Sequence, residues 1–341
     1  MSIQNKKTKP ITVLTALGII MIVSNVSSAS ATVLGTCTVG SSPTGIVVSG
    51  TDVWSADAAG DVDHSDTSCS STNTYTASGT PHNIATISGG NLVYTDHSTA
   101  GCLYLFSTST HTAGKGPCVA GLEGEDVSMD TSTGTAVWAS LYGTSGSKIE
   151  KWDTSSGSSS TVALPFSCQE PEGLRVDSSD NIWVFSQSCD YLFKYTPSSN
   201  TWVGCSLAGS NVGWYIALDN TNSEVWISDD TNTNPSRIYE VPMSAATSSL
   251  GSCNESTFNP PSGDIGSLGI ALDGNIVPVA FQSSGTADVY NWSTSQWKCG
   301  GTDSFVTMSN PSPSPYGMSF SSGGDYWTAL QGAGEHGYGA C

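Results

Sequence analysis

An imidazole and two carboxylates, His82, Glu125 and Glu172, are the side chains of this sequence best placed to do chemistry, and they stand 43 and 47 residues apart. Each holds the second place of a short recurring phrase that begins with Pro, Gly or Ser. One nitrogen and two oxygen ligands would hold a divalent cation such as Mg2+ or Ca2+. Alternatively, a Glu of raised pKa and the His would serve as base and acid. The same place in the other phrases is filled by Thr44, Trp214, Leu268 and Tyr316. Brought together, the seven make a polar side facing an aromatic and apolar side, a reasonable small-ligand pocket. The plainer alternative is that the polar members only solvate a channel mouth or bond backbone turns. Asp57, Asp96, Asp229 and Asp230 follow the second strands of their phrases and are expected to add negative field on the same face.

The element that positions these residues is an internal repeat, the signal to seek first in any sequence. Pro43-Thr44-Gly45-Ile46 leads to Val53-Trp54, Pro81-His82-Asn83-Ile84 to Val93-Tyr94, and Gly124-Glu125-Asp126-Val127 to Val137-Trp138. Pro171-Glu172-Gly173-Leu174 leads to Ile182-Trp183, and Gly213-Trp214-Tyr215-Ile216 to Val225-Trp226. Ser267-Leu268-Gly269-Ile270 leads to Ile276-Val277, and Pro315-Tyr316-Gly317-Met318 to Tyr326-Trp327. Successive aliphatic anchors lie 38, 43, 47, 42, 54 and 48 residues apart. Turns such as Ser88-Gly89-Gly90-Asn91 separate the two strands of a phrase, because Gly and Asn tolerate positive φ. A third alternating segment usually follows, as in Leu103-Tyr104-Leu105-Phe106. Four short strands every ~45 residues predict a β-propeller. Seven phrases predict seven blades, all-β, in one domain over 32–341. The recurring Trp54, Trp138, Trp183 and Trp226 belong between blades.

The seventh repeat lacks a fourth strand, and Thr32–Val39 resembles the outer strand that precedes the fifth phrase. The N-terminal strand is therefore expected to complete the last blade, which removes two free sheet edges. Cysteine spacing extends this register. Cys102 and Cys118 are 16 residues apart at the start of a third strand and the end of a fourth, and so are Cys189 and Cys205. Both pairs are expected to be disulfides, and the same logic pairs Cys37 with Cys341. Elimination leaves Cys253 with Cys299 and Cys69 with Cys168.

The phrases Pro171-Glu172-Gly173-Leu174-Arg175-Val176-Asp177 and Asn181-Ile182-Trp183-Val184 resemble those of the streptogramin lyases (virginiamycin B lyases) and the wider NHL-like propellers. The resemblance spans 32–341. It implies a propeller, and an Mg2+-dependent ring-opening elimination carried by a His within Glu-Pro-His-Gly and a nearby Glu. Here Glu170-Pro171-Glu172-Gly173 has Glu in place of that His, and Thr80-Pro81-His82-Asn83 has the His without the preceding Glu.

Lys6, Lys7 and Lys9, the apolar run Ile11–Val23 and Ala29-Ser30-Ala31 read as a secretory signal peptide over 1–31. An uncleaved anchor is the alternative. Ten cysteines suit an oxidising compartment, so the protein is expected to be secreted or at the cell surface. The net charge is −19, and −22 after residue 31, where only seven Lys and Arg remain. No basic stripe for nucleic acid can be built from these, and an anionic membrane surface would repel the chain. Asp57, Asp61, Asp63 and Asp66 lack the ligand pattern of a 12-residue calcium loop and read as a solvated acidic loop. His64, His97, His111 and His336 read as isolated surface residues. No nucleophile elbow, zincin motif or P-loop occurs. The leading expectation is a monomeric binding scaffold that takes a small molecule, glycan or protein at an acidic and aromatic channel mouth. The alternatives are a metal-assisted lyase or hydrolase, and a cell-surface building block.

Overall fold

A computed structural model of the chain describes residues 32–144, 146–208, 213–229, 236–260, 266–274, 276–292, 295–297, 315–321 and 325–340. Seven four-stranded antiparallel sheets make up the fold, with only three-residue 3-10 turns beside them among the described residues. Blade one is β2 (Pro43–Ser49), β3 (Asp52–Asp57), β4 (Asp61–Asp66) and β5 (Thr72–Thr76). Blade two is β6 (Pro81–Thr86), β7 (Leu92–Asp96), β8 (Cys102–Ser107) and β9 (Thr112–Cys118). Blade three is β10 (Glu123–Met129), β11 (Ala136–Tyr142), β12 (Lys148–Asp153) and β13 (Ser159–Ala163). Blade four is β14 (Pro171–Val176), β15 (Ile182–Ser186), β16 (Tyr191–Thr196) and β17 (Thr201–Ser206). Blade five is β18 (Gly213–Asp219), β19 (Glu224–Asp229), β20 (Ile238–Pro242) and β21 (Ser256–Phe258). Blade six is β22 (Ser267–Ile270), β23 (Ile276–Phe281), β24 (Thr286–Asn291) and β25 (Gln296–Trp297). Blade seven is β26 (Pro315–Phe320), β27 (Tyr326–Leu330) and β28 (Glu335–Ala340), completed by β1 (Thr32–Thr38). The expected signal at 1–31 lies outside the described residues.

Burial explains the composition of each strand. Second strands such as β7 and β15 are buried at every position, since a blade packs on both faces. They accordingly read as short continuous apolar runs. Outer strands such as β5 and β13 are largely exposed and are written in Ser, Thr and Asn. The tryptophans of the second strands pack on the following blade. Trp54 joins Ile84 and Leu92, Trp138 joins Leu174 and Ile182, Trp183 joins Ile216 and Val225, and Trp226 joins Ile270 and Val277. Trp327 of blade seven meets Ile46 and Val53 of blade one, so the same contact closes the ring.

Every inner strand carries a register shift between its opening residues and the aliphatic anchor, as at Pro43/Ile46, Pro81/Ile84, Gly124/Val127 and Pro315/Met318. A bulge bends the strand and re-aims a side chain. At Thr44 and His82 the side chain accordingly reaches the neighbouring blade.

Closure also uses a polar seam. His336 in β28 is fully buried, with Nε2 2.6 Å from Ser55 Oγ and Nδ1 2.9 Å from Ser65 Oγ, both in blade one. Burial pushes its imidazole down to about 3. It is therefore an interior residue, and the surface expectation for it is corrected.

Four disulfides are present among the described residues, consistent with an oxidising compartment. Cys102 pairs with Cys118, directly opposite it in the β8–β9 register. The other expected pairings are corrected. Cys37 bonds Cys69, because β1 sets Cys37 opposite His336 while the far end of the strand faces Ala340. Cys341 itself lies outside the described residues. The staple thus ties the latch strand to blade one rather than to β28. Cys189 falls in a turn before β16, so Leu192, not Cys189, faces Cys205. Cys189 turns back to Cys168 in the preceding loop, and Cys205 bonds Cys253 in the following blade. Those bonds exclude Cys69–Cys168 and Cys253–Cys299, and Cys299 lies outside the described residues.

Candidate functional site

At the channel end where the phrases begin, side chains form part of a belt between blades. Thr44 Oγ1 lies 2.5 Å from His82 O and 3.1 Å from Ala56 O. His82 Nδ1 donates to Glu125 O at 3.0 Å. A donor in one blade thus bonds the carbonyl of the corresponding residue in the next. Thr44 acts as a bridge of this kind and is buried, so it does not line an open pocket.

The belt changes character at Glu125, whose side chain can only accept. Its carboxylate lies near two imidazoles, with Oε1 3.2 Å from His97 Nε2 and Oε2 3.8 Å from His82 Nδ1. The two imidazole rings stack at 4.6 Å between centroids. His82 Nε2 is 3.2 Å from Tyr316 Oη, which reaches across from blade seven. Since Nδ1 donates to a carbonyl, Nε2 carries the lone pair and accepts from the phenol. Burial pushes the His82 imidazole down, so it is neutral. The hydrogen bond with Glu125 pushes His97 up, which favours an imidazolium paired with the carboxylate. One donor atom from each of His82, His97 and Glu125 lies within 4.8 Å of the others. His97 is 40% exposed while the Glu125 side chain is 4% exposed, so solvent reaches the cluster from the His97 side.

His97 was not expected here. It follows β7 directly, and its backbone N–H is held by Thr80 O at 2.8 Å. Glu172 was expected beside Glu125 but stands outside this cluster. It opens β14, is buried, and contributes negative field that helps push the Tyr215 phenol well up, burial being the larger cause. Trp214 is half-buried against the blade five and six core, and its indole Nε1 has no hydrogen-bond partner among the described residues. Leu268 lies in β22; its side chain is outside the described set.

The loop acids have another task. Asp57 accepts the N–H groups of Ser41, Ser42 and Ala59 at 2.8, 3.0 and 2.8 Å. Asp96 accepts from Thr80 N at 2.8 Å and Ser98 N at 3.1 Å. Both are buried, as is Asp229, whose carboxylate accepts from Tyr239 Oη at 3.0 Å. Asp57 and Asp96 pin the turns that feed the inner strands of their blades, Asp229 holds the third-strand Tyr239, and Asp230 lies outside the described residues. Asp63 is likewise buried, so the 57–66 run is no solvated loop.

A cavity of about 420 Å3 occupies the channel beyond the second residues of the phrases, from the third phrase residue onward along the inner strands. None of Thr44, His82, Glu125, Glu172, Trp214 and Tyr316 lines it.

No protein-family model matches the chain, and no characterised protein matches it in sequence. Solved structures match its fold. A streptogramin B lyase superimposes with a TM-score of 0.74 at 14% identity, over 89% of this chain and 96% of that one. A catalytically inactive virginiamycin B lyase from Staphylococcus aureus with quinupristin gives 0.71 at 13%, over 90% and 98%. The Cps50 (Swd1) propeller domain of Myceliophteria thermophila gives 0.71 at 9%, over 91% and 99%. At these identities the likeness establishes the seven-bladed fold, and propellers of one shape carry unrelated functions.

Proposed function

We propose that the protein is an exported binding propeller that holds a divalent cation, and through it a small ligand, at His82, His97 and Glu125. One observation carries this: two imidazoles and a carboxylate from blades two and three offer donor atoms within 4.8 Å of one another. Two nitrogens and one oxygen suit a borderline first-row ion such as Zn2+ or Mn2+. Mg2+ and Ca2+ prefer oxygen ligands alone, so the donor set departs from the Mg2+ implied by the lyase resemblance. A bound ion would polarise a carbonyl or phosphoryl oxygen of the ligand. His82 is held for this by the Glu125 carbonyl, and solvent entry beside His97 leaves a route in.

Calorimetric titration with Zn2+, Mn2+, Mg2+ and Ca2+ tests the proposal on wild type, His97→Ala and Glu172→Ala. Zn2+ or Mn2+ binding is expected in wild type and Glu172→Ala and lost in His97→Ala. Negligible heats in all three proteins, or equal binding in all three, refute it.

A second reading, proton transfer in a lyase reaction, is favoured by the bonding around His82. Nδ1 is committed to a backbone carbonyl, which leaves Nε2 as base, and the hydrogen bond with Glu125 pushes His97 beside it up, toward the imidazolium form. Neighbouring groups driven to opposite protonation states suit a base and an acid. Quinupristin, present with the Staphylococcus aureus lyase, is the substrate to try. Mass spectrometry that finds no ring-opened product with the wild-type protein refutes this reading for that substrate.

A further inference from the structure

One step past each aliphatic anchor, the inner strands place Val47, Ala85, Ser128, Arg175, Ala217, Ala271 and Ser319, and all seven line the 420 Å3 channel cavity. Six are small or modest in size. The seventh is a guanidinium, and among the described residues Arg175 is the one charged side chain lining the space. Its volume falls in the ~300–1,000 Å3 range of small-molecule pockets.

The guanidinium is fixed from behind. Arg175 Nη1 donates to the Asp126 carboxylate and to its neighbour Leu174 O. Asp126 is fully buried and also accepts Val127 N at 2.8 Å, Leu174 N at 2.7 Å and Asn83 Nδ2 at 2.8 Å. That carboxylate is saturated by blades two, three and four, so it cannot swing and neither can the Arg it holds. Both Nη1 hydrogens are consumed. The opposite edge, Nε–H with Nη2–H, is the planar fork that matches a carboxylate. It takes no acceptor among the described residues, while the side chain remains 30% exposed to the channel. Around it, Ile46, Ile84, Val127, Ile270 and Met318 supply apolar wall.

We propose that this cavity is a second binding site, separate from the His82–His97–Glu125 cluster, for a small organic monocarboxylate. The carboxylate sits on the Nε–Nη2 edge of Arg175 and the apolar body lies against the aliphatic anchors. The guanidinium charge is already balanced by Asp126, and its one free fork seats one carboxylate rather than a polyanion.

Calorimetry with benzoate and its uncharged analogue benzyl alcohol tests the site on wild type, Arg175→Lys, Ala85→Leu and His97→Ala. Benzoate should bind wild type about tenfold or more tightly than the alcohol, as a charge-assisted fork implies. Arg175→Lys keeps a charge opposite Asp126 but loses the fork, and should cut benzoate affinity about tenfold. Ala85→Leu leaves Arg175 untouched, fills the channel and should weaken both compounds. His97→Ala should leave benzoate binding unchanged, which separates this site from the metal cluster. Equal affinity for the two compounds, no saturable benzoate binding by wild type, or indifference to Ala85→Leu overturns the proposal.

Discussion

Replacing Asp63 by Asn should change how the stability of the ring depends on pH. Asp63 is fully buried in β4, where Thr74 Oγ1 donates to it at 2.8 Å. Burial is the main cause that pushes its carboxyl up, the Asp57 charge adds to it, and the group reaches about 7 from an ordinary 3.8. Between those values the folded chain holds a proton that the unfolded chain has released. Stability from this group is therefore complete below about pH 4 and is lost as pH rises through about 7. Roughly three pH units at ~1.4 kcal/mol each give a loss on the order of 4 kcal/mol. His336 works in the opposite direction. Its folded value of about 3 costs stability as pH falls below the ordinary imidazole value of ~6.5. The two trends offset one another in the wild-type protein over mildly acidic pH, so the wild-type curve alone is uninformative and the difference between proteins is the quantity to read. Urea unfolding followed by tryptophan fluorescence, with disulfides intact, at about pH 4, 6 and 8 supplies it. The stability of wild type minus that of Asp63→Asn should fall by several kcal/mol across that range. A difference that stays constant from about pH 4 to 8 refutes the assignment of the buried proton to Asp63.

Three further outcomes are expected. In Gly40→Ala, the new Cβ would run into the buried carboxylates of Asp57 and Asp63, so those carboxylates or the turn must shift and the thermal midpoint should drop by the equivalent of ~1–3 kcal/mol. Removing the latch bond in Cys37→Ser/Cys69→Ser opens a 32-residue loop, and urea unfolding should show ~3–4 kcal/mol lost in the chain-entropy model. Thr44→Val removes the bridge between blades one and two and should cost ~1 kcal/mol by the same assay; an unchanged midpoint would show that the belt carries no stability.

The fold was open to sequence reading because the propeller states its architecture seven times. A second strand buried on both faces must be an apolar run, and the tryptophan at its centre must meet the next blade. Trp54 through Trp226 could therefore be placed before any coordinates, and Trp327 follows the same rule across the ring junction. The latch strand was legible for a related reason, since a blade one strand short needs a partner and Thr32–Val39 has outer-strand character. Disulfides were less so. Equal spacing of 16 residues places Cys102 opposite Cys118, whereas the turn at Gln187–Cys189 lifts Cys189 out of the strand. A two-residue difference in where a strand begins is invisible to spacing.

The candidate site was half legible, and the half that was missed follows from donor chemistry. Repeat alignment finds what recurs, so it put His82, Glu125 and Glu172 on neighbouring blades. It cannot find His97, which has no counterpart in the other phrases. Nor does alignment say which way a side chain turns. Thr44 and His82 own hydrogens to donate, and each leans forward to the carbonyl of the next blade. Glu125 has none to give, and a carboxylate turned forward would face the Glu172 carbonyl, oxygen against oxygen. It turns back instead, toward the two imidazoles of blade two. A carboxylate that interrupts a run of donors in a belt between blades must therefore seek its partner behind it, and the residue just after the preceding blade's second strand is within reach. That rule selects His97 over Glu172 from residue types alone, once the belt is known to exist.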